Sequence, residues 1–135
     1  MTENSIFRGA ATALITPLTA DGIDYESFGR LIDWQIESGI DGPVICGTSG
    51  EGSTLSDKEH REALDFAIQR ADGRVPMIAG TGSNDIAYGI DLTKFACEIG
   101  YDAVLVVTPY YNKATQNGLF KMFTEIADRA AAPVI

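Results

Sequence analysis

Residues 44–56 read Val-Ile-Cys-Gly-Thr-Ser-Gly-Glu-Gly-Ser-Thr-Leu-Ser, an apolar run that breaks into glycines and hydroxyls. Glycines let a backbone turn sharply and approach a ligand closely, and exposed turn amides can cradle an anion. The stretch Gly47-Thr48-Ser49-Gly50-Glu51-Gly52 is therefore a candidate nest for a carboxylate or a developing oxyanion. Thr48 and Ser49 add two hydroxyl donors to it. The same composition also suits a plain tight connection between a strand and a helix, and both readings stand at this point. Spacing excludes two sharper motifs. The glycines run G-x-x-G-x-G rather than G-x-G-x-x-G, and no Gly-Lys-Ser/Thr follows, so neither dinucleotide nor P-loop binding is expected.

A second stretch with chemical potential is Thr108-Pro109-Tyr110-Tyr111-Asn112-Lys113. A phenol near a threonine hydroxyl can pass a proton along a hydrogen-bonded chain, which suits acid–base work on a carbonyl compound. Adjacent residues at a strand end point in different directions, so at most one of the two phenols enters a given pocket. An aromatic plug or a subunit contact is the alternative. A third stretch, Gly80-Thr81-Gly82-Ser83-Asn84, is small and polar, and either lines the pocket or faces a neighbouring subunit.

Other reactive side chains offer less. Cys46 and Cys97 sit in apolar surroundings without metal-ligand spacing and read as buried free thiols. The single histidine, His60, lies among charges on a helical segment and reads as a solvated residue; one histidine does not make a zinc site of the usual kind, and no metal is expected.

The elements that must position these stretches alternate in period. Short apolar runs rich in β-branched residues alternate with longer amphipathic segments, the signature of βα units and a parallel sheet. The predicted strands are Ala10 to Pro17, Gly42 to Gly47, Pro76 to Thr81 and Ala103 to Pro109, with a fifth beginning at Pro133. All are apolar nearly throughout, as strands covered on both faces should be. Asp24 precedes a helix with Phe28, Leu31, Ile32 and Ile36 inward and Gly39 as its stop. Ser56 and Glu59 form a capping box ahead of Leu64, Ala67, Ile68 and Ala71, with a stop near Gly73. Asn84 or Asp85 caps a third helix using Ile86, Ile90 and Ile99, which stops at Gly100. Thr115 or Asn117 opens a fourth with Leu119, Met122, Phe123 and Ile126 inward.

The junctions Glu37-Ser38-Gly39-Ile40-Asp41 and Glu98-Ile99-Gly100-Tyr101-Asp102 share Glu, Gly and Asp before a strand, a faint internal repeat. Evenly spaced strands suit an eight-fold barrel better than a doubly wound sheet, yet a whole (β/α)8 barrel needs at least about 200 residues. The 135 residues are thus expected to form the N-terminal half of such a barrel as one partial domain, 1–135, truncated at the start of the fifth strand. A self-pairing native half-barrel is the competing reading.

Bulk composition narrows the partners. A net charge of −9 argues against a nucleic-acid backbone as ligand. With neither a signal segment nor an apolar stretch of membrane-spanning length in the sequence, a cytoplasmic location is the expectation.

Taken together, Gly47 to Ser56, Ile78 to Asn84, Val106 to Leu119 and the early Ala11 to Leu18 closely resemble the dihydrodipicolinate synthase and N-acetylneuraminate lyase family of class I aldolases. The resemblance runs through essentially the whole chain and corresponds to the N-terminal half of that family's barrel. It implies a lysine that forms a Schiff base with pyruvate, whose enamine attacks or is released from an aldehyde, with no cofactor. By position, Thr48 matches the relay threonine and Ser49 the residue that holds pyruvate's carboxylate. Tyr111 matches the relay tyrosine that reaches a neighbouring subunit's active site, which implies a homo-oligomer, a tight dimer or a dimer of dimers.

The motifs lean to the synthase, which joins pyruvate to aspartate semialdehyde in lysine biosynthesis. A neuraminate lyase or a 2-keto-3-deoxy sugar acid aldolase is the alternative, and a non-catalytic half-barrel binding a small carboxylate is the alternative of another class. His60, Asn84 and Tyr110 match a lysine-feedback site of some synthases, although Tyr88 stands where an acidic partner is expected. The Schiff-base lysine of the family belongs to the sixth strand, so Lys58, Lys94, Lys113 and Lys121 are not expected to serve and the chain alone is expected to be inactive.

Overall fold

A computed structural model describes residues 8–135. Three-residue strand β1 (Ala11–Ala13) leads into a small antiparallel hairpin, β2 (Leu18–Thr19) with β3 (Gly22–Ile23), and then helix α1 (Tyr25–Glu37). Strand β4 (Gly42–Ile45), helix α2 (Asp57–Ala71), strand β5 (Ile78–Gly80), helix α3 (Ile86–Glu98), strand β6 (Ala103–Leu105) and helix α4 (Gln116–Ala127) follow. The sheet order is β1-β4-β5-β6, all parallel. The run beginning at Pro133 continues it: Val104 bridges Val134 in parallel, and Ile135 N–H donates to the Val104 carbonyl at 2.8 Å.

Register shows why these strands are apolar on both faces. Val44, Ile78 and Ala103 are in-register partners across β4, β5 and β6, and they pack with Leu105 into a small cluster on one face. Their successors Ile45, Ala79 and Val104 point the other way, into the main core under the helices. There they meet Phe28 and Ile32 of α1, Leu64 and Ala67 of α2, and Leu92 and Ala96 of α3. The exception is β1, where Ala11 and Ala13 are exposed, because among the described residues this strand has a neighbour on one side only.

The helices begin and end where their caps direct. Asp24 accepts from Ser27 N–H, and Gly39 takes a φ of +85° after α1. In the capping box, Ser56 accepts from Glu59 N–H at 3.3 Å while the Glu59 carboxylate accepts from Ser56 N–H at 2.9 Å. Asp85 rather than Asn84 caps α3, and Thr115 rather than Asn117 caps α4. On the outside, Asp33 of α1 pairs with both Arg70 and Arg74 at the end of α2, and Arg61 of α2 pairs with Asp91 of α3 while lying over the Phe95 ring.

Several expectations need correction. The strands stop short of Pro17, Gly47, Thr81 and Pro109, because at each carboxyl end the chain leaves the ladder to build a loop. The hairpin was not anticipated. Helix α3 turns Gly89, Leu92, Thr93 and Ala96 to the core; Ile90 and Ile99 are half-buried and pack against it as expected, and only Ile86 departs, at 38% exposed. Cys97 is a free thiol but only half-buried. His60 is not solvated at all; it is 3% exposed, on the same inward stripe of α2 as Ala63, Leu64 and Ala67.

Candidate active site

The polar turns gather at the carboxyl ends of the parallel strands. Immediately after β4, Cys46 takes a left-handed φ of +56°, an uncommon conformation for a residue with a side chain, and swings the chain into the Gly47–Gly52 turn. Within the turn, the N–H groups of Gly50 and Gly52 both donate to the Gly47 carbonyl, at 3.0 and 3.3 Å, and Glu51 N–H donates to Thr48 O at 3.1 Å. The N–H groups of Thr48 and Ser49 find no acceptor among the described residues. From the β1 side, the buried Thr16 hydroxyl donates to the Gly50 carbonyl at 2.7 Å and anchors the turn.

Two glycines are dictated by close approach. A Cβ on Gly52 would lie 2.3 Å from the Cys46 carbonyl oxygen, and one on Gly80 would lie 2.5 Å from the same atom. The end of β5 is thereby pressed against the start of the turn. Between them opens a cavity of about 240 Å³, lined by Cys46, Gly47, Thr48, Gly52, Ser53, Gly80, Gly82, Leu105, Val107, Thr108 and Tyr110. Its lining carries no formal charge apart from what its thiol and phenol could acquire. Burial pushes the Cys46 thiol up to about 12, against a smaller opposing hydrogen bond with Thr16, so it is a protonated wall rather than a nucleophile.

The sequence-predicted residues divide. Thr48 lines the cavity; Ser49 is on the same turn, exposed, beside it. Of the two phenols, Tyr110 lines the cavity and Tyr111 does not: Tyr111 is 97% exposed and held at a φ of +73°. Asn84 is half-buried; its carbonyl accepts from the Asn112 amide at 3.3 Å, linking the third and fourth loops, while its own Oδ1 is buried without a partner among the described residues. Neither His60 nor Asn84 lines the cavity. Burial, and then the nearby charge of Asp57, push the Tyr88 phenol up to about 12. Among the described residues no lysine lines the cavity, and no group of three His, Cys, Asp or Glu is arranged to hold a metal. Sequence reasoning missed Thr16 and Ser53. Thr16 carried a signal, a lone hydroxyl in the apolar run after β1.

Parallel βα units that collect small, polar turns at their strand ends define the class: this is half of a (β/α)8 barrel with its pocket on the face where such barrels work. Residues 6–135 match the dihydrodipicolinate synthetase family, and the chain belongs to that family. Among its curated relatives is the 4-hydroxy-tetrahydrodipicolinate synthase of Acetivibrio thermocellus, 50% identical over 130 residues, which are 96% of this chain and 44% of the relative. The enzyme of the same name from Nitratidesulfovibrio vulgaris is 50% identical over 129 residues, again 44% of its length.

Solved structures agree. Dihydrodipicolinate synthase from Aquifex aeolicus superposes with a TM-score of 0.91 at 44% identity, over 95% of this chain and 44% of that one. A prophage protein of the family from E. coli K12, in complex with pyruvate, gives 0.92 at 36% identity over 96% and 44%. The chain thus spans about 44% of the relatives it matches. No helix among the described residues is long and apolar enough to cross a membrane.

Proposed function

We propose that the Gly47–Gly52 turn binds the carboxylate of pyruvate, and that these residues form the first four βα units of a 4-hydroxy-tetrahydrodipicolinate synthase. The observation that carries the reading is the pair of unpartnered amides at Thr48 and Ser49, set among hydroxyls at the edge of an uncharged cavity. In a chain of net charge −9, a carboxylate is more readily held by such free amide dipoles than by bulk charge. Relatives at 45–50% identity that bear the synthase name support the same choice of reaction.

In this reading Thr48 passes protons to and from the carbonyl oxygen of pyruvate as a lysine amine displaces it as water. Ser49 fixes the carboxylate. Tyr111 completes the relay in a second copy of the chain, a role its exposed, outward-held side chain supports. The lysine nucleophile comes from a part of the barrel outside these residues, as does the binding site for aspartate semialdehyde. The four lysines here lie in helices or, for Lys113, in the exposed fourth loop.

Borohydride trapping with pyruvate, followed by mass mapping, tests the reading. The protein carrying the complete barrel takes one pyruvate-sized adduct, at a lysine outside residues 1–135, and T48V slows trapping by about 100-fold. An adduct on Lys58, Lys94, Lys113 or Lys121, or trapping indifferent to T48V, rejects it.

A further inference from the structure

One buried side chain beneath the cavity has no part in this chemistry. His60 touches two of the cavity's walls from behind: its Nε2 lies 3.0 Å from the Gly80 carbonyl oxygen, and its Cε1 lies 3.2 Å from where a Cβ on Gly52 would sit. A carbonyl oxygen only accepts, so the ring carries its proton on Nε2 and donates it there. That leaves Nδ1 as an acceptor, buried and without a partner among the described residues. Burial pushes the group below its ordinary range, which favours this neutral form.

An orphaned buried nitrogen costs stability, and a leucine or methionine would fill the space without one. What those side chains lack is a donor for Gly80. Gly80 is packed backbone against backbone, with its hydrogens facing the Cys46 carbonyl and the Gly47 amide nitrogen, the latter 2.7 Å from a Cβ placed there. A bond to its carbonyl therefore fixes the end of β5 against the entry of the turn, while the ring edge supports Gly52 at the turn's exit.

We propose that His60 is a positioning residue: it ties the Gly47–Gly52 turn to the end of β5 and so sets where the Thr48 and Ser49 donors meet a bound carboxylate. The effect on substrate rests on the carboxylate reading above, whereas the tie itself rests only on the geometry at Gly80 and Gly52.

Variants of the complete-barrel protein separate the tie from filling of space. H60F keeps an aromatic ring and removes the donor; H60Q offers an amide N–H on a flexible stem. For the loss of one buried hydrogen bond, H60F raises the pyruvate KM about tenfold while kcat changes by less than about threefold. Hydrogen exchange of the peptide covering residues 44–56 accelerates about tenfold over the same comparison. H60Q restores both measurements to within about threefold of the parent. Should H60F fail to fold, H60M takes its place against H60Q. Exchange in H60F or H60M equal to the parent, or H60Q no better than either, overturns the tie. Exchange that follows the donor while pyruvate KM does not move keeps the tie and overturns its role in binding; a parent protein that binds no pyruvate rejects the carboxylate reading separately.

Discussion

The two loops that carry the candidate chemistry are built in opposite ways. The Gly47–Gly52 turn is fastened from several directions: Thr16 from the β1 side, His60 from below, Gly80 pressed against it, and three hydrogen bonds within it. Among the described residues, the loop from Thr108 to Lys113 is held to the rest of the chain by one hydrogen bond, from the Asn112 amide to the Asn84 carbonyl, and nearly all of its residues are exposed. Yet the second loop also has two side-chain-bearing residues at positive φ, Tyr111 and Lys113, which a free loop would not favour. A turn that binds a ligand through its backbone must be finished within its own chain. A loop that presents one side chain outward can leave its last contacts to something else.

The largest test of this contrast is G52A. The added methyl meets the Cys46 carbonyl at 2.3 Å, backbone against backbone, and costs about 3 kcal/mol in urea denaturation. A cost under about 1 kcal/mol would mean the turn is slack. Next, T16V removes the bond to Gly50 and leaves a buried carbonyl without its donor, which lowers stability by about 2 kcal/mol. The midpoint moves and the m-value does not, because the surface exposed on unfolding is unchanged.

A smaller effect comes from pH. His60 is held neutral in the folded chain below its unfolded value of 6.5, so the unfolded state binds the extra proton and stability falls as pH drops below about 6.5. One proton limits the slope to about 1.4 kcal/mol per pH unit, and thermal melts of H60Q between pH 7.5 and 5.5, a range of about two units, should lack that contribution. Smallest of all is Y111A, expected to change stability by less than about 0.5 kcal/mol, since the side chain is 97% exposed. A cost above about 1 kcal/mol would show that the fourth loop, too, is completed within the chain.

What could be read from the sequence was whatever is encoded locally. The strands' apolar centres, the Ser56–Glu59 capping box, the Asp24 cap and the glycine stops each involve residues a few positions apart, and each stands where expected. The turn Gly47–Gly52 was likewise legible as a pocket wall. The misses are non-local or masked by neighbours. His60 sits between Glu59 and Arg61, whose charges concealed that positions 60, 63, 64, 67 and 71 form one inward stripe. Thr16 acts across 34 positions on Gly50. The Asp21-Gly22 pair was a turn signal for the hairpin, but strands of two residues show no period to confirm it. That Tyr110 rather than Tyr111 faces the cavity depends on a left-handed backbone angle that residue types alone do not reveal.

Strand order in the sheet is also chain order: β1, β4, β5, β6 and then the run from Pro133, each laid beside the one synthesised before it. Every pairing closes a segment of roughly one βα unit, so the loop entropy to be overcome is much the same at each addition. Such a sheet can assemble from its first strand outward as the chain leaves the ribosome, each strand finding its template already in place. The residue that fastens the turn, His60, precedes its acceptor Gly80 by only 20 positions. The Gly47–Gly52 turn can therefore take shape early, when β5 docks, rather than as the last event of folding.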